Sequence, residues 1–185
     1  YPNNPTGAVA TKEFFREVID FGHDNDIIIA SDECYSEIYF KEKPHSILEY
    51  SREGIVVFQS LSKRSAMTGY RVGWVAGDER IISAFRKLKP NIDSGTPTFI
   101  EDAAGAALRD ESHVEKMRND YKKKAEILVG AFTSIGLENC MPAATLYIWQ
   151  KVSRKMNSVE FAKKLLQKEI AIVATPGSML SATVN

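Results

Sequence analysis

The sequence has few of the residues that build disulfides, metal centres or membrane spans. Its 185 residues include only two cysteines, Cys34 and Cys140, whose spacing fits neither a disulfide framework nor a zinc site. Its apolar runs stay short of the length that a transmembrane helix needs. These absences predict a reduced, cytoplasmic setting with no membrane and no metal partner.

A net charge of either sign is also lacking. Lysine and arginine together number 24, as do aspartate and glutamate, so the formal net charge is +0. A balanced charge gives no general attraction to nucleic acid, and the lysine run at residues 122–124 is predicted to be the solvated face of a helix. The 44% hydrophobic and 26% charged residues are typical of a globular domain. We therefore expect neither nucleic acid nor an anionic membrane as a partner.

Both ends of the sequence lack the usual signals of a domain boundary. Residues 1–5 are turn residues that normally follow a strand, and the chain ends at Asn185, just beyond a predicted strand and turn. We therefore expect the chain to be a fragment of a longer protein.

The hydrophobic periodicity predicts an α/β fold. Helices are expected at 11–25, after Asp78, from Pro97, at 111–135 and at 157–168, and strands at 27–30, 55–58, 73–77, 145–152 and 170–174. The continuous apolar runs 27–30 and 55–58 are typical of buried parallel strands. A mostly parallel sheet with helices on both faces is the expected architecture.

The most informative segment surrounds Lys63. This lysine follows the second apolar run together with Ser60 and Ser62, and Arg71 lies eight residues further on. A lysine amine can form a Schiff base with a carbonyl cofactor, and an arginine can bind a phosphate through paired hydrogen bonds. A lone lysine is far more often a plain surface residue, so the interpretation depends on its companions.

Two further segments supply such companions. Asp32 ends the first apolar run and Tyr35 follows it, while Asn4 lies in the sequence Asn-Pro-Thr-Gly. Ligands of open α/β sheets bind at the carboxyl ends of the strands, where both Asp32 and the Lys63 segment are predicted to lie. Taken alone, Asp32 can be a cap or turn residue and the Asn-Pro-Thr-Gly sequence only a turn.

Together the three segments resemble the class I/II family of pyridoxal-phosphate-dependent aminotransferases, of fold type I. The resemblance implies that Lys63 binds the cofactor covalently and then serves as general base, and that Asp32 keeps the ring nitrogen protonated. The implied catalytic residues are Lys63, Asp32 and Tyr35. The implied cofactor-binding residues are Asn4, Asp32, Tyr35, Ser60, Ser62, Lys63 and Arg71.

The resemblance also implies a domain organisation. Residues 1–110 would be the C-terminal part of the large cofactor-binding domain, residues 111–136 an interdomain helix, and residues 137–185 the start of a small C-terminal domain. A glycine-rich phosphate loop and a ring-stacking aromatic would precede Tyr1, and a carboxylate-binding arginine would follow Asn185. Because these elements lie outside the chain, we expect it to be inactive when expressed alone. The family further implies a cis peptide bond between Asn4 and Pro5.

The expected activity is transfer of an amino group between an L-amino acid and a 2-oxo acid, in amino-acid biosynthesis, by a homodimeric parent protein. The segments 93–99 and 146–149 are similar to bacterial aspartate and diaminopimelate types, and the end at residues 179–185 is similar to the succinyl-diaminopimelate type. The match weakens at Met179 and Leu180, where the family usually has Phe-Gly. Two alternatives remain open: a carbon–sulfur β-lyase on the same fold, and a non-catalytic cofactor-binding sensor domain.

Other candidates for chemistry are weaker. His23, His45 and His113 lie outside the three segments and are predicted to be structural or surface residues. Cys34 has no histidine nearby in sequence and is predicted to be a small buried residue and not a nucleophile. The loop at residues 91–97 resembles one that approaches the active site of the neighbouring subunit in the family.

Overall fold

A computed structural model describes residues 1–152 and 156–180. These residues form two compact units: the first contains residues 1–127 and 141–149, and the second contains residues 128–140 and the described part of 150–185. Within the described ranges, no helix is long and apolar enough to cross a membrane, and no cluster of His, Cys, Asp or Glu side chains suits a metal ion.

Helices and strands alternate through the first unit, as the sequence predicts. The strands are β1 (Ile29–Asp32), β2 (Ile55–Ser60) and β3 (Gly73–Gly77). The helices of the chain are α1 (Lys12–Asp24), α2 (Leu61–Arg64), α3 (Glu79–Asp93), α4 (Thr98–Arg109), α5 (Ser112–Ser134) and α6 (Ser158–Leu165). Short 3₁₀ turns occupy Ile47–Glu49, Thr68–Tyr70 and Gly177–Met179.

The sheet is mixed, with strand order β1-β2-β3. The β1–β2 pair is parallel as expected, whereas β3 runs antiparallel to β2. Asp32 pairs with Phe58 in the parallel register, so the end of β1 lies beside the end of β2. The carboxyl ends of these two strands therefore meet at one edge of the sheet, where the sequence predicts the site.

The helix boundaries follow the capping signals in the sequence. Thr11 is the N-cap of α1 and accepts a hydrogen bond from the Phe14 amide at 3.1 Å. Asp78 is the N-cap of α3 and accepts from the Arg80 amide in the same way. In the second unit, Asn157 and Glu160 form the predicted capping box of α6. Gly136 follows α5 with φ of 85°, a left-handed conformation that glycine adopts without strain.

Two apolar clusters hold the first unit together. In one, α1 packs against the sheet through Phe15 and Ile19, which contact Ile55 and Val57 of β2. In the other, Tyr35, Ile38 and Phe40 pack with Ala125 of α5 and with side chains from residues 146–148. Tyr35 itself belongs to the second cluster, so buried packing holds the segment that carries it in place.

The first strand is less buried than its apolar run predicts. β1 begins at Ile29, two residues later than expected, and Ile27 and Ile28 are 49% and 61% exposed. Only Ser31 of this strand is buried. The backbone of Ile27 instead donates to Gly22, which closes the end of α1, so the first two isoleucines belong to the connection and not to the sheet.

The strands predicted at 145–152 and 170–174 are wrong. The first segment contributes only a bridge between Ala144 and Tyr39, and Thr145 adopts a left-handed φ of 74°. In the second segment the amides of Ile170 and Ala171 donate to Gln167 and that of Ile172 to Leu165. These amides donate to carbonyls at and just after the end of α6, so they do not pair with a neighbouring strand.

Candidate active site

A cleft of about 550 Å³ opens at the carboxyl ends of β1 and β2. Its lining includes all seven residues that the sequence analysis assigns to cofactor binding: Asn4, Asp32, Tyr35, Ser60, Ser62, Lys63 and Arg71. The volume falls within the range of roughly 300 to 1,000 Å³ that is usual for small-ligand pockets. Residues from all three segments of the sequence are thus brought together.

The short helix α2 positions Lys63. Ser60, the last residue of β2, caps this helix and accepts a hydrogen bond from the Ser62 amide at 3.1 Å. Leu61 and Arg64 are buried, whereas Ser62 and Lys63 are half-buried on the cleft side. The buried residues therefore fix the helix and leave the two polar side chains available to a ligand.

The Lys63 ammonium has no acid partner. Its Nζ lies 5.5 Å from the centre of the Tyr35 ring, a cation–π contact. It forms no hydrogen bond or ion pair with any residue that the structure describes. A lysine held in a cleft without a counter-charge is suited to bond with an incoming carbonyl group.

Asp32 is held at the end of β1 by its buried neighbours. Its Oδ1 accepts a hydrogen bond from the Cys34 amide at 3.1 Å. On either side, the Ser31 hydroxyl donates to the fully buried Glu33 carboxylate at 3.1 Å, and the Ile47 amide donates to the same oxygen at 3.0 Å. The chain around Asp32 is thereby fixed, while its own carboxylate faces the cleft without an ion-pair partner among the described residues.

The Tyr35 hydroxyl has two side-chain neighbours. Asn4 Nδ2 donates to it at 3.3 Å, and the hydroxyl of Tyr147 lies 3.1 Å away. Burial raises the pKa of the Tyr35 phenol well above its ordinary value. Tyr35 therefore keeps its proton at neutral pH.

Asn4 reaches Tyr35 from a compact turn. The Asn4–Pro5 peptide bond is cis, as predicted, and the Thr6 hydroxyl donates to Asn3 Oδ1 at 2.7 Å within the turn. Gly7 has φ of 71°, and an added Cβ would lie 2.6 Å from Pro142. Glycine is therefore required at this position on both conformational and packing grounds.

Arg71 lies at the open side of the cleft. Its guanidinium donates only to the Thr68 carbonyl, at 3.0 Å, and pairs with no described carboxylate. The left-handed turn here is made by Arg71 itself, with φ of 53°, and not by the flanking Gly69. Gly73 is needed for a different reason, since an added Cβ would lie 2.3 Å from the Gln59 carbonyl oxygen of the neighbouring strand.

Cys34 also lines the cleft. Burial, together with the neighbouring Asp32, raises the pKa of its thiol to about 12. The thiolate is the reactive form of cysteine, so this residue is not a nucleophile at neutral pH, as predicted, although it is half-buried and not fully buried as expected.

The opposite side of α2 carries a polar cluster that the sequence analysis missed. The buried Arg64 donates to the Ala107 carbonyl at 2.9 Å and pairs with Glu111. The next residue, Ser65, contacts His113 at 2.9 Å, which gives this histidine a structural contact as predicted. The sequence Lys63-Arg64 alone does not indicate which of the two side chains is buried.

A comparison with known proteins defines the class to which this chain belongs. A model of the family described as aminotransferase class I and II matches residues 1–183. The chain belongs to this family, whose cofactor is pyridoxal 5′-phosphate. Its fold is correspondingly that of a fold type I aminotransferase, of which it forms a part.

Two curated relatives and one solved structure illustrate what this chain is similar to. The LL-diaminopimelate aminotransferase of Aquifex aeolicus is 41% identical over 182 residues, which are 96% of this chain and 47% of that protein. The enzyme of the same name from Halothermothrix orenii is 42% identical, over 96% of this chain and 46% of that protein. A solved aminotransferase structure from Neisseria meningitidis has a TM-score of 0.87 at 36% identity and covers 97% of this chain and 47% of its own. The chain thus spans about half the length of the curated relatives it matches.

The groups lining the cleft fit pyridoxal 5′-phosphate. The cofactor carries an aldehyde, a ring nitrogen, a phenolic oxygen and a phosphate. Charges of both signs, without ion-pair partners among the described residues, line the cleft at Lys63, Asp32 and Arg71, and amide and hydroxyl donors lie among them. This donor set offers a complementary group for each of the four features of the cofactor.

Proposed function

We propose that the protein containing this chain is a pyridoxal-phosphate-dependent aminotransferase of the diaminopimelate type, which moves an amino group between an L-amino acid and a 2-oxo acid. One observation carries the proposal: Lys63, Asp32 and Arg71 converge on one cleft and none has an ion-pair partner among the described residues. Family membership and the names of the relatives at about 40% identity support the reaction and the substrate class.

In this proposal, the phosphate, the ring nitrogen and the phenolic oxygen of the cofactor each have their own ligands. Arg71, with Ser60 and Ser62, holds the phosphate, because a guanidinium and two hydroxyls supply several donors to its oxygens. Asp32 holds a proton on the ring nitrogen, and a carboxylate beside that cationic nitrogen stabilises both charges. Asn4 and Tyr35 bind the phenolic oxygen.

Lys63 acts as the base of the reaction. The bound cofactor supplies the electron-withdrawing ring that makes the α-proton of the amino acid removable. The Nζ of Lys63 accepts this proton and returns it. The Nζ lies at the cleft, 5.5 Å from the centre of the Tyr35 ring, so the same side chain first holds the cofactor and then moves the proton.

We infer further that the domains divide as the sequence suggests, at 1–110, 111–136 and 137–185, although residues 141–149 pack in the same compact unit as residues 1–127. The position of α5, Ser112–Ser134, within the middle segment supports this division. The cysteine content favours a cytoplasmic setting, and the balanced charge gives no attraction to nucleic acid. Membership of the family supports a homodimeric parent protein.

The proposal is tested by assaying the full protein with LL-diaminopimelate and a 2-oxo acid. We expect formation of the amino acid that corresponds to the 2-oxo acid, in proportion to enzyme and only when the acceptor is present. Lys63→Ala is the matched control and should give no product. Product release from a sulfur-containing amino acid without any acceptor would instead identify a β-lyase and contradict the proposal.

A further inference from the structure

Tyr147 extends the site beyond the residues that line the cleft. Its hydroxyl lies 3.1 Å from that of Tyr35, which in turn accepts from Asn4 Nδ2 at 3.3 Å. The two tyrosine rings also pack edge to face, with their centres 5.8 Å apart. The sequence places Tyr147 within an apolar segment, and nothing in that pattern distinguishes it from a core residue.

The direction of the hydrogen bond between the two tyrosines decides what Tyr35 can do. A phenol has one proton to donate and two lone pairs that accept. The Asn4 amide nitrogen can only donate, so it uses one lone pair of Tyr35. If Tyr35 donates to Tyr147, no proton remains for a ligand in the cleft. If Tyr147 donates to Tyr35, both lone pairs are filled and the Tyr35 proton is free to be donated into the cleft.

We propose that Tyr147 is a positioning residue that donates to the Tyr35 hydroxyl and thereby makes Tyr35 a donor to the ligand in the cleft. This inference rests on the proposed function, in which that ligand is the phenolic oxygen of pyridoxal phosphate. An anionic oxygen requires a donor, so only this direction of the Tyr147–Tyr35 hydrogen bond is compatible with cofactor binding at this position.

The support beneath Tyr147 is rigid enough for this role. Thr145 is fully buried, its amide donates to the Ile38 carbonyl at 2.8 Å, and its hydroxyl accepts from the Tyr147 amide at 3.3 Å. The Tyr147 ring packs in the apolar cluster with Phe40 and Ala125. The hydroxyl is therefore held in place before a ligand arrives, as a positioning residue must be.

The surroundings keep Tyr35 protonated. Burial raises its pKa, as does the nearby Asp32, and Lys63 lies over its ring. Among the described residues, Asp32, Lys63 and Tyr147 are the titratable groups that bear on the Tyr35 hydroxyl. A phenol that keeps its proton through neutral pH can serve as a constant donor.

The test measures the pH at which the absorption band of bound pyridoxal phosphate changes in the full protein. Removing a donor from the cofactor oxygen disfavours its anionic form, so Tyr35→Phe should move this midpoint upward. Tyr147→Phe keeps the ring and removes only its hydroxyl. We expect it to move the midpoint in the same direction by about 0.5 to 1 pH unit, the effect of one hydrogen bond.

A double-mutant cycle separates positioning from a direct effect. In the Tyr35→Phe background, Tyr147→Phe should cause no further shift, because Tyr147 acts only through Tyr35. Tyr50→Phe is the matched control: the Tyr50 hydroxyl is buried, has no hydrogen-bond partner among the described residues and lies in the other apolar cluster. We expect its removal to leave the midpoint unchanged. Tyr147→Leu provides a second variant if Tyr147→Phe does not fold.

The outcomes distinguish this inference from the proposed function. A midpoint that Tyr35→Phe moves but Tyr147→Phe does not would overturn the role of Tyr147 and leave the proposed function standing. An equal shift from Tyr147→Phe with and without Tyr35 would also overturn it. The absence of any cofactor absorption band in the unmodified protein would overturn both.

Discussion

Lys63 and Arg64 are adjacent cations with opposite surroundings. The Arg64 side chain is 7% exposed, donates to the Ala107 carbonyl at 2.9 Å and pairs with Glu111. Lys63 lines the cleft and pairs with no described acid. One side of α2 thus anchors the helix to α4 and the start of α5, and the other side presents an unpaired amine. The difference shows that a charge without a partner, and not charge alone, marks the site.

The largest effect is expected on the cleft side, at Lys63. Lys63→Ala should lower kcat/KM with the amino donor by at least about 10⁴-fold, since it removes both the cofactor linkage and the base. The thermal unfolding of the protein without cofactor should change little, because Lys63 makes no hydrogen bond with described residues. A large loss of stability in the cofactor-free variant would show that Lys63 also anchors α2.

Asp32 comes next. Asp32→Asn keeps the shape of the side chain but removes the charge that holds the ring nitrogen protonated, so turnover should fall by about 10²- to 10³-fold. Covalent attachment of the cofactor to Lys63 should persist. Steady-state kinetics and cofactor labelling of the same preparation make the test, and near wild-type turnover would rule out this role for Asp32.

Two arginines provide a matched pair: Arg71, which lines the cleft, and Arg64, which is buried on the opposite side of α2. Arg71→Met should weaken pyridoxal phosphate binding by about 10- to 100-fold, the effect of losing charge-assisted hydrogen bonds, with little change in the stability of the cofactor-free protein. The measurement is equilibrium titration with the cofactor. An unchanged dissociation constant would mean that Arg71 does not bind the phosphate.

Arg64→Met should show the opposite pattern. It removes the donor of the Ala107 carbonyl, so the free energy of unfolding of the cofactor-free protein should fall by about 1 to 3 kcal/mol. Cofactor affinity should change less than in Arg71→Met. If the two arginine variants instead behaved alike, the distinction between an anchored side and a cleft side would be wrong.

The smallest effect concerns the polar cluster behind α2. Hydrogen bonds from Ser112, followed by His113, lower the pKa of Asp110 to about 2. A depressed carboxyl pKa contributes stability above the unfolded-state pKa of about 4, and this contribution is lost as the pH falls towards 2. Asp110→Asn should therefore lower the melting temperature slightly at neutral pH, with the difference from the unmodified protein shrinking below pH 4. A difference that stays constant with pH would exclude an electrostatic origin.

The sequence predicted the first unit well because its signals are local. Asp32 and Ser60 end apolar runs, Thr11 and Asp78 cap helices, and each signal depends on a few neighbouring residues. The positions of the site residues at one sheet edge follow from the parallel pairing of β1 and β2. The antiparallel direction of β3 does not follow, because a five-residue apolar segment carries no information about its orientation.

The strands predicted at 145–152 and 170–174 failed because strand formation depends on non-local pairing. Their apolar residues fit the period of a strand, but Thr145 and Ala171 take left-handed conformations and the amides of 170–172 close the end of α6. Tyr147 was missed for the same reason. Its partner Tyr35 lies 112 positions away in the sequence, and only the folded chain reveals that the two hydroxyls meet.

Labelling of the cofactor lysine tests the central claim most directly. The full protein, loaded with pyridoxal phosphate and reduced with borohydride, should yield after digestion one pyridoxyl-modified peptide, with the modification on Lys63. The Lys63→Ala variant should yield none. A pyridoxyl group on any other lysine, or a protein that is not labelled at all, would contradict the assignment of Lys63 and the active site built around it.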